Sequence, residues 1–460
     1  MNNIDMHSGS VRAVRDIRKR GRVFGNGLSR LCFLTELMLL IMLSAHPACA
    51  QEGADHEAKD AETKKLMIPY AFYNDSFGAA VGYVYGVTGY PQPYSTMLGT
   101  VIAGSNNALA CYLLTREIRV PYTERLFFDT DLALSTFGTI QSYTDGNPDF
   151  PGEQAGSNGS DKDNYVEGSG DDNLVRVNIK YLLPIGSGDH DLKVKPPTLE
   201  RGLPVDGARG GETWNPLQSG RTYLELRPFW REQTIDSDYG THDQKTYAVS
   251  FSVYRDNTEF TRNPSHGSAV RVRYTQDWGW FDSSRPYEIG DVEISKYISL
   301  GTSDTFRQRV LAFDLWTANA FSWDEISMQD GNQVYNRPPA YLGATLGGLW
   351  RMRAYPASRF NDQAAVYYAL EYRLIPEWNP FAHIDWIERY LGIEWWQWVA
   401  IAEVGRVAPV WTVGELHSDM KWDAGFGIRA MAKGIVGRLD IAGSREGLGV
   451  SMMVGQPYQF

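Results

Sequence analysis

From about residue 77 onward, large apolar and polar residues alternate with a period of two. That period places successive side chains on opposite faces of an extended strand. In 174–184, Val175, Val177, Ile179 and Tyr181 share one face, and Arg176, Asn178 and Lys180 share the other. In 221–235, Leu224, Leu226 and Trp230 oppose Glu225, Arg227 and Arg231. In 268–280, Val270, Val272, Tyr274 and Trp278 oppose Arg271, Arg273 and Asp277. In 364–375, Val366, Tyr368, Leu370 and Tyr372 oppose Tyr367, Ala369, Glu371 and Arg373.

Fifteen segments read as strands: 77–89, 98–105, 108–120, 124–142, 174–184, 221–235, 245–259, 268–283, 287–300, 307–323, 364–375, 394–407, 420–433, 434–443 and 447–460. A soluble sandwich of this size would need nearly every strand to be one-sided. A membrane barrel requires that pattern, apolar toward lipid and polar toward a wet lumen. The pattern therefore predicts an all-β, transmembrane antiparallel β-barrel. Bacterial barrels usually have an even strand number, so sixteen are expected, with the unassigned strand around 336–346 or within 185–220.

The N-terminus reads differently. Seven basic residues between Arg12 and Arg30 precede an apolar stretch from Leu31 to Ala45, and Ala48-Cys49-Ala50 fits a small-x-small cleavage site. This predicts an export signal over 1–50, a flexible charged lead over 51–66 and a barrel over 67–460. Loss of the signal removes Cys32 and Cys49, so Cys111 is left without an internal disulfide partner. Removing seven basic and three acidic residues from totals of 44 and 55 leaves a net charge of −15, which argues against a nucleic-acid partner. Aromatics make up 13 % of the chain, and amphipathic rings concentrate at membrane–water boundaries. After Ala50 no run of eighteen apolar residues occurs, so a membrane location would require a closed barrel.

Two insertions interrupt the strands. Residues 143–173 are acidic and Gly/Ser-rich, and 185–220 are rich in Pro and Gly. Both read as extramembrane loops. The acidic one lacks the ordered ligand spacing of a dedicated calcium site, and no metal or cofactor is expected. No His-Glu-x-x-His or Gly-x-Ser-x-Gly is present, so no catalytic residues are assigned and the chain is read as a non-enzyme.

Gly347-Gly348, Met352-Arg353-Ala354-Tyr355, Phe360 and Glu371-Tyr372-Arg373 resemble the signature loop and following strand of the bacterial surface antigen family, in the BamA/TamA superfamily of outer-membrane barrels. Ile401-Ala402-Glu403-Val404-Gly405 stands where that family carries Phe-x-Asp-x-Gly on an inner strand face. The resemblance implies a sixteen-stranded barrel in the bacterial outer membrane, with the 324–363 loop folded into its lumen. This chain would be a member without the periplasmic POTRA domains that receive clients. Ala354 replaces a family glycine, Glu403 an aspartate and Ile401 a phenylalanine. Glu403 shares parity with Gln397, Ile401 and Gly405, so it is expected to face the lumen and pair with Arg353, whose rigid fork suits a carboxylate. Arg351 and Arg359 are rivals for that role. The expected lumen clasp is Arg353, Tyr355, Glu371, Arg373, Glu403 and Gly405.

The last stretch puts Leu448, Val450, Met452, Val454, Tyr458 and Phe460 on one parity. A strand ending in Phe resembles the terminal signal of outer-membrane barrels, carried by Tyr458 and Phe460. Two functions follow as alternatives. One is a monomeric barrel that helps insert or transport proteins, with outer-membrane lipid, client barrels or a separate periplasmic protein as partners. The other is a passive porin-like channel or surface antigen with no client.

Overall fold

The computed structural model describes residues 63–458 apart from 75, 193–195, 209, 212 and 330. The expected export signal, most of the lead, and Phe460 lie outside the described residues. Among the described residues, sixteen strands form one sheet in which each strand pairs antiparallel with its chain neighbours. They are β1 Lys64–Asn74, β2 Gly78–Thr88, β3 Thr96–Gly104, β4 Ala108–Arg119, β5 Leu126–Ser142, β6 Val166–Leu182, β7 Arg221–Ser237 and β8 Gly240–Thr258. The second half comprises β9 Gly267–Asp277, β10 Tyr287–Ser299, β11 Phe306–Ala320, β12 Ala364–Pro376, β13 Ile393–Ala408, β14 Lys421–Ala432, β15 Ile435–Gly443 and β16 Leu448–Val454.

The fold is the expected β-barrel, but the sixteenth strand is not where the pattern was expected to place it. It is β1, which begins inside the stretch read as a lead, while 336–346 and 185–220 contribute only short local pairs. The reason is visible in β1 itself. Pro69 sits among Met67, Ile68, Tyr70 and Phe72 and interrupts the alternation, and proline is tolerated in a sheet chiefly on an edge strand. β1 is an edge: it pairs with β2 over its whole length, and among the described residues no ladder joins it to β16.

The two faces of the sheet behave as alternation predicts. Leu224, Leu226, Phe251, Val253, Val272, Phe313, Leu370, Phe426, Ile428 and Leu439 are exposed on the outside. A contiguous apolar exterior of this kind suits lipid. Exposed aromatics gather beyond the strand ends, with Trp280 and Phe281 after β9 and Trp378, Trp386 and Tyr390 between β12 and β13, as interfacial girdles do. The inner face carries buried charges, among them Arg271, Arg373, Glu403 and Arg429.

Strand alternation also fixes which connections share an end. The 183–220 and 377–392 connections and the segment after β16 lie at one mouth, and the 143–165, 321–363 and 409–420 connections at the other. Neither long insertion is a simple solvated loop. In 183–220 a small hairpin, Thr198–Glu200 with Leu203–Asp206, turns through Arg201 and Gly202, both at positive φ (49° and 76°). Its Leu199 and Leu203 pack against inner-face Ile375, Trp395, Met431 and Val436 on β12–β15. Trp395 Nε1 donates to Gly202 O at 3.1 Å. The hairpin therefore reaches from the β6–β7 side of its mouth to the β12–β15 side. The acidic insertion ends earlier than expected, because β6 starts at Val166, and Asn158, Ser160 and Asn164 are buried.

Candidate functional site: the lumen clasp

The 321–363 connection folds inward because its sequence supplies both an apolar surface and a rigid turn. Leu346, Met352, Ala354, Tyr355 and Phe360 are buried against Trp316, Ala318, Tyr367 and Val407 of the inner wall. Gly347 and Gly348 take φ of 107° and 102°, a region closed to residues bearing Cβ. A Cβ on Gly347 would meet Pro356 O at 2.2 Å. The left-handed positions that follow fall on Met352 and Ser358 (φ 56° and 53°). Ala354 is not among them, so alanine at this position imposes no left-handed strain.

This loop carries Arg353 into the centre of a buried ionic cluster. Its backbone N–H donates to Glu403 Oε2 at 2.7 Å and its Nε to Glu403 Oε1 at 3.1 Å. Nη1 donates to Asp440 Oδ2 at 2.8 Å. Nη2 donates to Glu371 Oε1 at 2.8 Å and to the Tyr458 hydroxyl at 3.2 Å. One planar fork thus engages three strands of the wall, β12, β13 and β15. The rivals go elsewhere. Arg351 pairs with Glu293 at 2.8 Å and lies over the Trp316 ring, and Arg359 pairs with Glu446 at 2.8 Å and donates to Ser160.

The remaining clasp residues surround this centre. Glu371 also accepts from Arg373 at 2.8 Å and from Arg429 at 2.7 and 2.9 Å, so three guanidinium groups converge on one carboxylate. Glu403 accepts from the Tyr367 hydroxyl as well. Tyr355 donates to Trp422 O at 3.1 Å. Gly405 lets the plug approach, since a Cβ there would meet Leu346 Cδ1 at 2.8 Å. Four guanidinium groups (Arg353, Arg373, Arg429, Arg438) thus meet three carboxylates (Glu371, Glu403, Asp440), all buried, while Asp423 beside them accepts from the Ala354 N–H at 3.2 Å. Buried charges are tolerated when each is paired and hydrogen-bonded.

Arg429, Arg438, Asp423 and Asp440 were not singled out as clasp residues. The signal was present for the last strands, since Arg438 and Asp440 share the parity opposite Leu439 and Ile441. What the alternation could not supply was which inner face the plug would touch.

The last residues need a correction. The final strand was expected to run over 447–460, but β16 ends at Val454. Gly455 (φ 97°) breaks it, and Pro457 follows. Tyr458 is buried in the lumen, where its hydroxyl meets Arg353 and its carbonyl accepts from the Tyr297 hydroxyl at 3.2 Å. It is part of the clasp, not of a lipid-facing strand end. β16 itself also touches the plug, because a Cβ on Gly449 would stand 2.1 Å from Arg353 O.

No family model and no curated protein matches the chain. Among solved structures it is similar to BamA from Haemophilus ducreyi lacking POTRA domains 1–3, at 10 % identity and a TM-score of 0.40, over 86 % of this chain and 70 % of that one. It is also similar to CdiB from Acinetobacter baumannii, at 8 % identity and a TM-score of 0.44 over 85 % of this chain, and to CdiB from Escherichia coli, at 12 % identity and a TM-score of 0.46 over 85 %. The chain spans 59 % and 62 % of the length of those two CdiB structures.

The rest of the inner wall is also charged, and it is ordered by pairs. Arg116 and Arg176 share Asp131, at 2.6 and 2.9 Å. Lys180 lies 2.7 Å from both Glu117 and Asp129. Arg271 meets Glu225 at 3.2 Å, and Arg273 forms a two-pronged pair with Asp291 at 2.8 and 2.9 Å.

Proposed function

We propose that this chain is a non-catalytic barrel of the bacterial outer membrane that acts on other polypeptides, aiding their insertion or transport through the seam between β1 and β16. The observation that carries this reading is that, among the described residues, the sheet has two unpaired edges while the 321–363 loop and the 198–206 hairpin pack on its inner wall. β1 spans eleven residues and β16 only seven, and among the described residues no ladder joins them. The seam is bridged at one mouth by contacts that bypass β16: Thr88 Oγ1 donates to Lys433 O at 3.0 Å, and Leu66 packs with Ala432 and Ile435. An exposed edge is a template for another strand. A client strand would add to β1 by main-chain hydrogen bonds, with the clasp keeping the lumen closed as the seam widens.

A passive channel is the poorer fit, because the hairpin 198–206 crosses one mouth and the 321–363 plug fills the space under the other. The test is a pair of cysteines, one in β1 and one in β16, joined by a flexible bis-maleimide in the intact barrel. Cross-linking is expected to block assembly or export of outer-membrane proteins in the parent bacterium, while each single-cysteine barrel treated alike retains it. Unchanged assembly with a fully cross-linked seam would sink the proposal. A large, stable single-channel conductance from the unmodified barrel would favour the passive channel instead.

A further inference from the structure

The 183–220 connection straddles the rim of its mouth. Its hairpin 198–206 packs on the inner wall, but 213–219 returns on the outside. On β7, β8, β9 and β10 the outward parity is set by Leu226, Val253, Val272 and Ile298, all exposed. Thr222, Asn257 and Ser268 share that parity at the same mouth and are nevertheless buried. The returning segment covers them. Asn257 Nδ2 donates to Thr213 O at 2.8 Å, and its Oδ1 accepts from the Gly211 N–H at 3.0 Å and the Ser219 hydroxyl at 2.9 Å. The tip of the segment stays bare, with Trp214 61 % and Leu217 68 % exposed. Large apolar side chains held on the lipid side of a barrel rim suit the boundary between acyl chains and headgroups.

Two cations flank that tip. Arg255 on β8 and Lys296 on β10 lie on the outward parity, each three residues short of its strand's end at this mouth. Against the strand between them, Arg255 is opposite Val270 and Lys296 opposite Ser268 of β9. Arg255 Nη2 donates to Thr213 O at 3.3 Å and to Ser219 O at 3.0 Å, and Lys296 Nζ stands 5.0 Å from the centre of the Trp214 ring. Carbonyls and a ring hold these cations in place without neutralising them, and neither is in an ion pair among the described residues. Asp256, next in the chain after Arg255, points the other way, into the lumen, and is paired with Arg221 at 3.4 Å. Long basic side chains at the edge of an apolar surface carry their charge to the level of the headgroups, where a lipid phosphodiester is the counter-charge at hand.

We propose that Arg255, Lys296 and the Trp214–Leu217 tip form a site on the outside of the wall for the headgroup of an anionic phospholipid. Its acyl chains run along the apolar exterior at Val253, Val272 and Ile294, which are exposed. An even number of strands leaves both ends of the wall at this mouth. Only hairpins then have to cross the membrane during insertion, so this mouth stays on the side from which the barrel enters, where the leaflet is phospholipid. The site rests on the placement in the outer membrane proposed above and not on the seam acting on clients.

The test uses the intact barrel with Cys111→Ala and a bimane fluorophore on a cysteine at Gln218, in phosphatidylcholine vesicles containing a minor fraction of brominated lipid. A bimane at Phe426, exposed on β14, is the control. Brominated phosphatidylglycerol should quench the 218 probe at about fivefold lower mole fraction than brominated phosphatidylcholine, since one cation near the surface is worth roughly that factor. Both lipids should quench the 426 probe alike. Lys296→Gln should remove most of the preference and Lys296→Arg should keep it. These two decide, because Arg255→Gln would also release Thr213 and Ser219. Unlabelled phosphatidylglycerol should relieve the quenching, and inorganic phosphate at equal ionic strength should not. Equal quenching at 218 by both lipids, a preference unchanged in Lys296→Gln, or relief by lipid A but not by phosphatidylglycerol would overturn the site. No quenching at 426 by either lipid would instead overturn the membrane placement beneath it.

Discussion

Arg353→Ala is the substitution whose consequence the clasp fixes most narrowly. It removes four side-chain hydrogen bonds at 2.8–3.2 Å, but their loss does not fall equally on the partners. Glu371 keeps Arg373 and Arg429, and Asp440 keeps Arg438 at 3.3 Å. Glu403 loses the one cation paired with it among the described residues, retaining the Tyr367 hydroxyl and the backbone N–H of residue 353. Removing one partner of a buried pair costs about 3–5 kcal/mol, because the remaining charge stays buried. That is roughly a hundred- to several-thousand-fold in the folding equilibrium. Glu403→Gln keeps shape and leaves Arg353 with two carboxylates, so it should cost less, about 1–2 kcal/mol. Arg353→Lys should resemble the alanine variant more than the parent, since an ammonium cannot span three separated acceptors as the planar fork does. The assay is urea unfolding of the barrel in lipid vesicles followed by tryptophan fluorescence, with maleimide labelling of a cysteine at Ala354, which is buried, as a local report on the plug. Arg353→Ala should lower the unfolding midpoint and speed labelling, with Glu403→Gln between it and the parent. If Glu403→Gln were as damaging as Arg353→Ala, the shared-fork reasoning would be wrong.

Other outcomes follow from the same geometry. Glu371→Gln should destabilise more than Glu403→Gln, because Arg373 then has no carboxylate within 4 Å among the described residues; the same urea series measures it. Gly449→Val should displace the plug, since a Cβ at 449 meets Arg353 O at 2.1 Å, and faster labelling of a cysteine at Ala354 with β16 still folded is the expected reading. Replacing residues 198–206 with a short Gly/Ser turn removes Leu199 and Leu203 from the mouth, and should raise single-channel conductance in planar bilayers. Brominated lipids carrying the halogen near the headgroup should quench a barrel whose tryptophans are limited to Trp280 and Trp386 more strongly than lipids brominated near the bilayer centre.

Much of this molecule is written in short-range pattern. Alternation over fifteen segments located fifteen of the wall strands to within a few residues, apart from the early starts of β6 and β8 and the early ends of β9 and β16, because each strand must place lipid-facing and lumen-facing side chains on fixed parity. The same parity pointed Glu371, Arg373 and Glu403 inward. β1 escaped because Pro69 breaks its alternation, and the last strand was carried past Val454 because parity does not register a Gly455–Pro457 break. Which inward charges would meet was not legible in the pattern. Glu403 and Asp440 are separated by 50 and 87 residues from Arg353, the arginine they share, and only closure of the sheet, together with a plug bent at Gly347 and Gly348, brings them within hydrogen-bonding distance. The sequence determined, through local sterics and burial, that the chain makes a barrel wall with a charged interior. Tertiary structure alone decided the clasp and the capped mouths, because ion pairing across a lumen depends on strand neighbours that no local period records.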